Sequence, residues 1–373
     1  MYTRRLQLYD GNASPAGAGF RVMINPTIKL GAHWFGYAAV QVRSTPYFYY
    51  DAFSDERGTY VNTLQAFAGY AFRARETSVM FKAGRLSSAF GSFPLRYDDA
   101  ENPLLDQPLS YITGTALRGD QLFCGTANLR QQRYGSVTAG CGGVPDPDGT
   151  LTPVTLYGLP GIQAEVSGRR VDARVQFTNG SPAHPRDWQA AGHYLQWTVG
   201  AGYTIRQGFR VGVSGFSGPY LDSALTPFLP AGSTIRDFPA RAVGLDGQWA
   251  RGRWSVSAEW QRFQFASPNF VTPPRITSSY AEAKSVITPR FFLAGRVGRF
   301  STGKVVDSNG ISAPEFASAL TSLEVGGGMW LNRRQLLKVS YGWLKIEGQT
   351  GTQSNVLGVQ FVTTLHALNW AFR

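Results

Sequence analysis

A chain of 373 residues with 36 Lys and Arg against 24 Asp and Glu, a formal charge of +12, is long enough for two or three soluble domains or for one large closed sheet. Charged residues make up only 16%, mean hydropathy is -0.18, and no run approaches the ~18 consecutive apolar residues of a transmembrane helix. That argues against a helical inner-membrane protein, and it leaves a strand-built membrane protein open, because alternating lipid-facing and water-facing residues bring mean hydropathy near zero.

In chain order, Met1-Tyr-Thr-Arg-Arg runs into a strand-like stretch with no apolar h-region before it. We read this as a mature or truncated start, with no signal peptide in the chain. Thr3–Tyr9 is a first strand, Asp10-Gly-Asn-Ala-Ser-Pro a connection, and Phe20–Leu30 a second strand. Tight turns follow at Leu30-Gly31, Arg75-Glu76, Ser167-Gly168, Gln207-Gly208, Arg251-Gly252, Thr288-Pro289 and Asn332-Arg333. Between them lie long polar connections, near 44–59, 87–154, 180–189, 217–237, 267–275, 301–317 and 348–356. Short and long connections never exchange places. An up-and-down barrel in the bacterial outer membrane has that asymmetry, and the strands number about sixteen, an even count. The predicted fold class is all-β: one domain over 1–373, a closed antiparallel transmembrane barrel.

Within the strands two faces separate. Val171, Ala173, Val175 and Phe177 share one side, and Arg170, Asp172, Arg174, Gln176 and Thr178 the other. Trp254, Val256, Ala258 and Trp260 oppose Ser255, Ser257, Glu259 and Gln261. Leu195, Trp197, Val199, Ala201 and Tyr203 oppose Gln196, Thr198 and glycines 200 and 202. Aromatics at strand ends (Tyr47, Phe48, Tyr49 and Tyr50; Phe263 and Phe265; Phe291 and Phe292) are expected in interfacial girdles. Cys124 and Cys141 share one Gly-rich stretch and are expected to pair, as suits an oxidising, exported setting; two free thiols are the alternative.

The segments Phe81-Lys-Ala-Gly-Arg85 and Ala89-Phe-Gly-Ser-Phe93, with the aromatic last stretch Leu368-Asn-Trp370-Ala-Phe372-Arg373, give the chain a resemblance to the bacterial outer-membrane porin superfamily. The last residue departs from that pattern, being Arg where the family's terminal signal ends in Phe. The resemblance implies a sixteen-stranded, homotrimeric porin whose long third loop, 87–154, folds into the barrel and narrows the pore. Asp98, Asp99, Glu101 and Asp106, with Arg96 nearby, would then face the barrel wall across the constriction. A solvated external loop is the other reading of the same residues.

The predicted pore-lining bases are Arg21, Lys29, Arg43, Lys82, Arg170, Arg174, Arg210, Arg290, Arg296 and Lys338, with Lys284 beside them. They outnumber the inward acids Glu165, Asp172, Asp246, Glu259, Glu282 and Glu324, so the expected function is passive diffusion of small hydrophilic solutes, anionic or neutral, with anions preferred over cations. The bases are dispersed singly along strands, unlike a nucleic-acid patch. Arg241 and Arg299, near strand ends, are candidates for lipid phosphates, and outer-membrane lipid and lipopolysaccharide are expected partners. The four histidines, His33, His184, His193 and His366, form no metal-ligand spacing, and neither a nucleotide loop nor CxxCH is present, so no cofactor and no catalysis are expected. A secreted or surface carbohydrate-binding β-sheet protein and an outer-membrane barrel enzyme are the alternatives.

Overall fold

In the computed structural model, the described residues are 2–9, 12–13, 17–44, 58–96, 98–115, 117–132, 141–143, 151–181, 195–347 and 353–364. Tyr47 to Tyr50, His184, His193, His366 and the terminal stretch Leu368 to Arg373 lie outside them. Among the described residues no helix is long and apolar enough to cross a membrane.

One antiparallel sheet dominates, and sixteen strands carry it. They are β1 (Tyr2–Tyr9), β2 (Gly17–Ile24 continued by Thr27–Leu30), β3 (Trp34–Ser44), β4 (Thr59–Ala74), β5 (Thr77–Ser87), β6 (Tyr157–Ser167), β7 (Val171–Asn179) and β8 (Leu195–Arg206). There follow β9 (Phe209–Pro219), β10 (Pro239–Arg251), β11 (Trp254–Phe265), β12 (Arg275–Thr288), β13 (Phe291–Thr302), β14 (Leu320–Asn332), β15 (Gln335–Ile346) and β16 (Gln353–Thr363). Asn12–Ala13 is a stub paired with the end of β1. The break in β2 falls at Asn25-Pro26, where proline has no N–H to give the ladder; the Pro26 carbonyl still accepts Ala38 N at 3.0 Å.

Each strand pairs with its sequence neighbours, and β16 also pairs with β1, from Tyr2 opposite Phe361 to Tyr9 opposite Ser354. All seven tight turns fall where the sequence places them. Gly208 shows why some need glycine: its φ is +79°, and a Cβ there would stand 2.2 Å from the Ala250 carbonyl oxygen. At the opposite end, where the described connections near 217–237, 267–275 and 301–317 lie, Phe270–Thr272, Val305–Asp307 and Ser312–Ala313 form a separate small sheet.

The polarity of this sheet is the reverse of a water-soluble one. Along β8, Leu195 and Trp197 are 66% and 46% exposed, whereas Gln196 and Thr198 are wholly buried. The same inversion puts Val243 and Leu245 outside and Asp246 inside, and Val297 outside and Arg296 inside. An apolar belt running over strand after strand exceeds the few hundred Å² that a soluble monomer exposes. Trp34, Tyr203 and Trp254 are exposed near the tight-turn ends, as an interfacial rim would have them.

The girdle expectation needs one correction. Phe263 and Phe265 are fully buried on the inner face, in the parity of Glu259 and Gln261, and pack with Phe90, Phe216 and Tyr220. Phe291 is exposed and its neighbour Phe292 buried, so that pair straddles the sheet.

Candidate functional site

The inner face is where the charged residues converge, and the connection between β5 and β6 lies against it. Among its described residues that segment contains three short helices, α1 (Phe93–Arg96), α2 (Leu109–Ile112) and α3 (Thr126–Gln132). Its apolar residues Phe90, Phe93, Leu109 and Tyr111 join Phe216, Phe263, Ile276, Tyr280 and Phe300 of the wall in one core cluster. Phe90 meets Phe216 edge-on, with centroids 5.1 Å apart.

Polar anchors hold the same segment in three places. At its start, Arg174 donates from Nε to the Ala89 carbonyl and from Nη2 to the Gly91 carbonyl, both at 2.7 Å, and Gly91 N donates to Ser214 Oγ at 3.0 Å. Glu259 Oε1 accepts from Ser92 N (2.9 Å), Ser92 Oγ (2.6 Å) and Phe93 N (2.6 Å), while its Oε2 accepts from Tyr111 Oη (2.7 Å) and Gln261 Nε2 (2.8 Å). Gly91, at φ +76°, makes room for this: a Cβ there would be 2.3 Å from Tyr111 Oη. Burial first, and then the Glu259 carboxylate, push the Tyr111 phenol well above its ordinary range, so it stays a donor.

Further along, Lys338 Nζ donates to the carbonyls of Asp99 (2.7 Å), Asn102 (3.0 Å) and Leu104 (3.3 Å). Arg296 donates to the Asp106 carbonyl (2.6 Å) and to Asn102 Oδ1 (3.0 Å) and pairs with Glu282 and Glu324. Glu324 Oε1 accepts Leu105 N (3.0 Å) and Asp106 N (3.2 Å), and Arg21 pairs with Asp99 at 3.1 Å.

At the long-connection end, Asp307 Oδ2 accepts Thr126 N (3.1 Å) and Thr126 Oγ1 (3.2 Å), and Asn269 Nδ2 donates to the Phe123 carbonyl (2.7 Å). The disulfide Cys124–Cys141 closes this part of the segment, as the sequence suggests.

The Thr126 backbone N–H, ahead of the other donors, holds the Asp307 carboxyl below its ordinary range. A depressed carboxylate stabilises the folded state above its unfolded value, about 3.9, and that contribution disappears as pH falls through the lower folded value. Limited proteolysis around 119–143 should therefore stay slow down to about pH 4 and accelerate only below it, whereas Asp307→Asn should be cut faster already at neutral pH.

The predicted bases divide into groups. Arg21, Arg174, Arg296 and Lys338 are buried and engage the segment. Lys82 pairs with Glu165 at 2.7 Å, and Arg210 binds Asp172 and Asp246 at 2.6 and 2.7 Å. Arg43 is half-buried opposite Arg21 in register, and Lys284 Nζ sits 4.3 Å from the Phe292 ring centroid. Lys29, Arg170 and Arg290 are exposed at the tight-turn end, away from the segment. Of the acids, Asp99 reaches the wall through its side chain and Asp106 through its backbone. Asp98 and Glu101 are exposed, and Asp98 Oδ1 accepts Ala100 N at 2.7 Å. The segment is thus held mainly by its backbone groups on wall charges of both signs, rather than as an acidic loop against a basic wall. Gln176, Ser214 and Tyr111 belong to the site and carry no sequence signal beyond inward parity for the first two.

Glycines shape the wall beside it. A Cβ on Gly202 would stand 2.0 Å from Arg210 Nη2, and one on Gly212 2.3 Å from Asp246 Oδ2. Gly202→Val should swing Arg210 off its two aspartates and cost about 1–3 kcal/mol by overpacking. The check is the temperature at which the folded band is lost in heat-modifiable electrophoresis.

No protein-family model matches the chain, and no curated protein matches it in sequence. Solved structures do match in shape. The anion-selective porin from Comamonas acidovorans aligns with a TM-score of 0.56 at 11% identity, over 97% of this chain and 96% of that one. The chain has the fold of the bacterial outer-membrane porins. Pseudomonas putida OprB aligns at TM-score 0.56 and 13% identity over 97% and 92% of the two chains. OmpT of Vibrio cholerae, in a trimer form, aligns at 0.53 and 10% over 97% of each. At these identities the likeness speaks to the fold, and the porin fold accounts for the apolar exterior around a polar, loop-bearing interior.

Proposed function

We propose that this chain is a single-domain outer-membrane porin: a closed, water-filled, homotrimeric barrel through which small hydrophilic solutes diffuse passively, narrowed by the segment 87–154. The observation that carries the reading is the inverted sheet, apolar outside and charged inside, with that segment anchored across the inner face from Arg174 on β7 to Lys338 on β15. A secreted sheet protein would have no use for an exposed apolar belt. The chain needs neither cofactor nor catalysis for this role. Outer-membrane lipid surrounds it, and nucleic acid is no partner.

Anion preference is the second half of the proposal. It rests on the +12 formal charge, on inward bases outnumbering inward acids, and on the anion-selective Comamonas neighbour. Because Arg21, Lys82, Arg174, Arg210, Arg296 and Lys338 are engaged by carboxylates or carbonyls, the preference is expected to be modest. Planar-bilayer recording under a salt gradient tests both halves. Absence of any ohmic channel overturns the pore; a cation-selective reversal potential overturns the anion preference alone.

A further inference from the structure

Charge is distributed unevenly between the two ends of the sheet, and the tight-turn end carries the excess. Every one of the seven tight turns has an exposed base in it or within two residues of it. Lys29 precedes the first, Arg73 and Arg75 mark the second, and Arg169 and Arg170 close the third. Arg206, Arg253, Arg290 and Arg334 do the same for the remaining four. The acids within the same reach are Glu76 and Asp172, and Asp172 takes Arg210 at 2.6 Å. Arg251, opposite Trp254 in register, belongs to the outer rim.

Two contrasts set this ring of bases apart. Deeper in, the inward bases Lys82, Arg174, Arg210, Arg296 and Lys338 are engaged by carboxylates or carbonyls. Among the described residues none of the ring bases meets a carboxylate. At the long-connection end the signs are mixed: Asp222, Asp237 and Glu315 stand among Arg236 and Lys304, and Arg118 pairs with Asp120 at 2.6 Å. Uncompensated positive charge is therefore concentrated at one end.

Consecutive tight turns are two strands apart, ~10 Å, which is about one screening length at 0.1 M salt. At that ionic strength the fields of neighbouring turns overlap and merge into a positive collar around the mouth. Enrichment of an ion in such a field rises exponentially with its charge. A potential of one thermal unit concentrates a monovalent anion ~3-fold and a trivalent one ~20-fold. We propose that the tight-turn mouth is a collecting site for small anions carrying two or more charges, which it draws into the channel from the aqueous phase on that side. The inference rests on the reading of the chain as an open channel and deepens it. It adds a substrate class and a direction to anion preference, and it puts the selecting charge at the mouth, where the bases are free, rather than at the constriction, where they are engaged.

Single channels of the full-length protein should be recorded in symmetric potassium chloride at about 0.1 M and about 1 M, with citrate or acetate added to one chamber at a time. At the lower salt the chloride current should be larger in one polarity, roughly 1.5-fold or more, and the asymmetry should fade at the higher, where the screening length falls to about 3 Å. Citrate should reduce the current from one chamber only, the one from which chloride enters more readily, and at a roughly tenfold lower concentration than acetate. The variant combining Arg170→Gln, Arg206→Gln, Arg253→Gln and Arg290→Gln changes exposed side chains and should keep the heat-modifiable mobility of a folded barrel. It should lose most of the asymmetry and most of the advantage of citrate, whereas Lys304→Gln at the other end should keep both. Symmetric wild-type currents at low salt, citrate acting equally from both chambers, or a fourfold variant that behaves as wild type overturns the proposal. Any of these in an ohmic channel refutes the collecting site alone, and a chain that forms no channel refutes the porin reading and the site with it.

Discussion

Glu259→Ala is expected to loosen the start of the third connection and to raise single-channel conductance. The carboxylate accepts Ser92 N, Ser92 Oγ, Phe93 N, Tyr111 Oη and Gln261 Nε2, and the group is buried. Removing it leaves donors without acceptors in a site that water does not reach, and hydrogen bonds to a charged group contribute ~1.5–3 kcal/mol each. Part of that is recovered by local rearrangement, so a net loss of about 3–5 kcal/mol is expected, as for one side of a buried charged cluster. The sheet itself keeps its strand pairing, because Glu259 contributes only a side chain to it. Folded barrels should therefore still form and show heat-modifiable mobility, with a lower transition temperature. Their channels should be wider and noisier than wild type. Unchanged conductance with lowered stability would mean that this anchor does not set the width of the pore. Glu259→Gln keeps an acceptor oxygen and should fall between the two.

The sheet was legible in the sequence because its signals are local. A tight turn is written in two residues, such as Gln207-Gly208, and a strand in alternation of period two, so every tight turn and both faces of β7, β8 and β11 agree with the structure. Phe263 and Phe265 show where a local signal misleads. Aromatics near a strand end serve a lipid interface or an inner packing surface equally well; carrying the parity of Glu259 and Gln261 two and four residues further puts both rings inside. The anchors were legible by half. Inward parity marks Arg174, Arg296 and Lys338, but their partners are backbone carbonyls 83 to 239 residues away, and a carbonyl has no signature in sequence. For that reason the expectation of acids opposite bases captured Arg21 with Asp99 and missed the main mode of attachment.

The second anchor makes a distinct prediction. Lys338 is 1% exposed, and its Nζ serves three carbonyls of the turn between Asp99 and Leu104. Lys338→Met keeps the volume of the stem but leaves those carbonyls to find other donors, and a loss of about 2–4 kcal/mol is expected from the orphaned groups. Arg296 still holds Asn102 and the Asp106 carbonyl, so the turn loosens without leaving the wall, and trypsin should begin to cut after Arg96. Across four strand spacings of ~4.8 Å the register sets Glu259 level with Leu344 of β15, and Lys338 lies six residues further along that strand, so the two are about 28 Å apart along the sheet. At that distance the stability losses of Glu259→Ala and Lys338→Met should add within about 0.5 kcal/mol. Conductance should not add in this way. Either anchor alone limits the play of its own end, whereas losing both leaves the segment to the Arg174, Arg296 and Asp307 contacts and loosens it along its length, so the double variant should conduct by more than the sum of the two single increases. A strictly additive conductance would mean that each anchor controls its own part of the opening and that the segment does not move as one body.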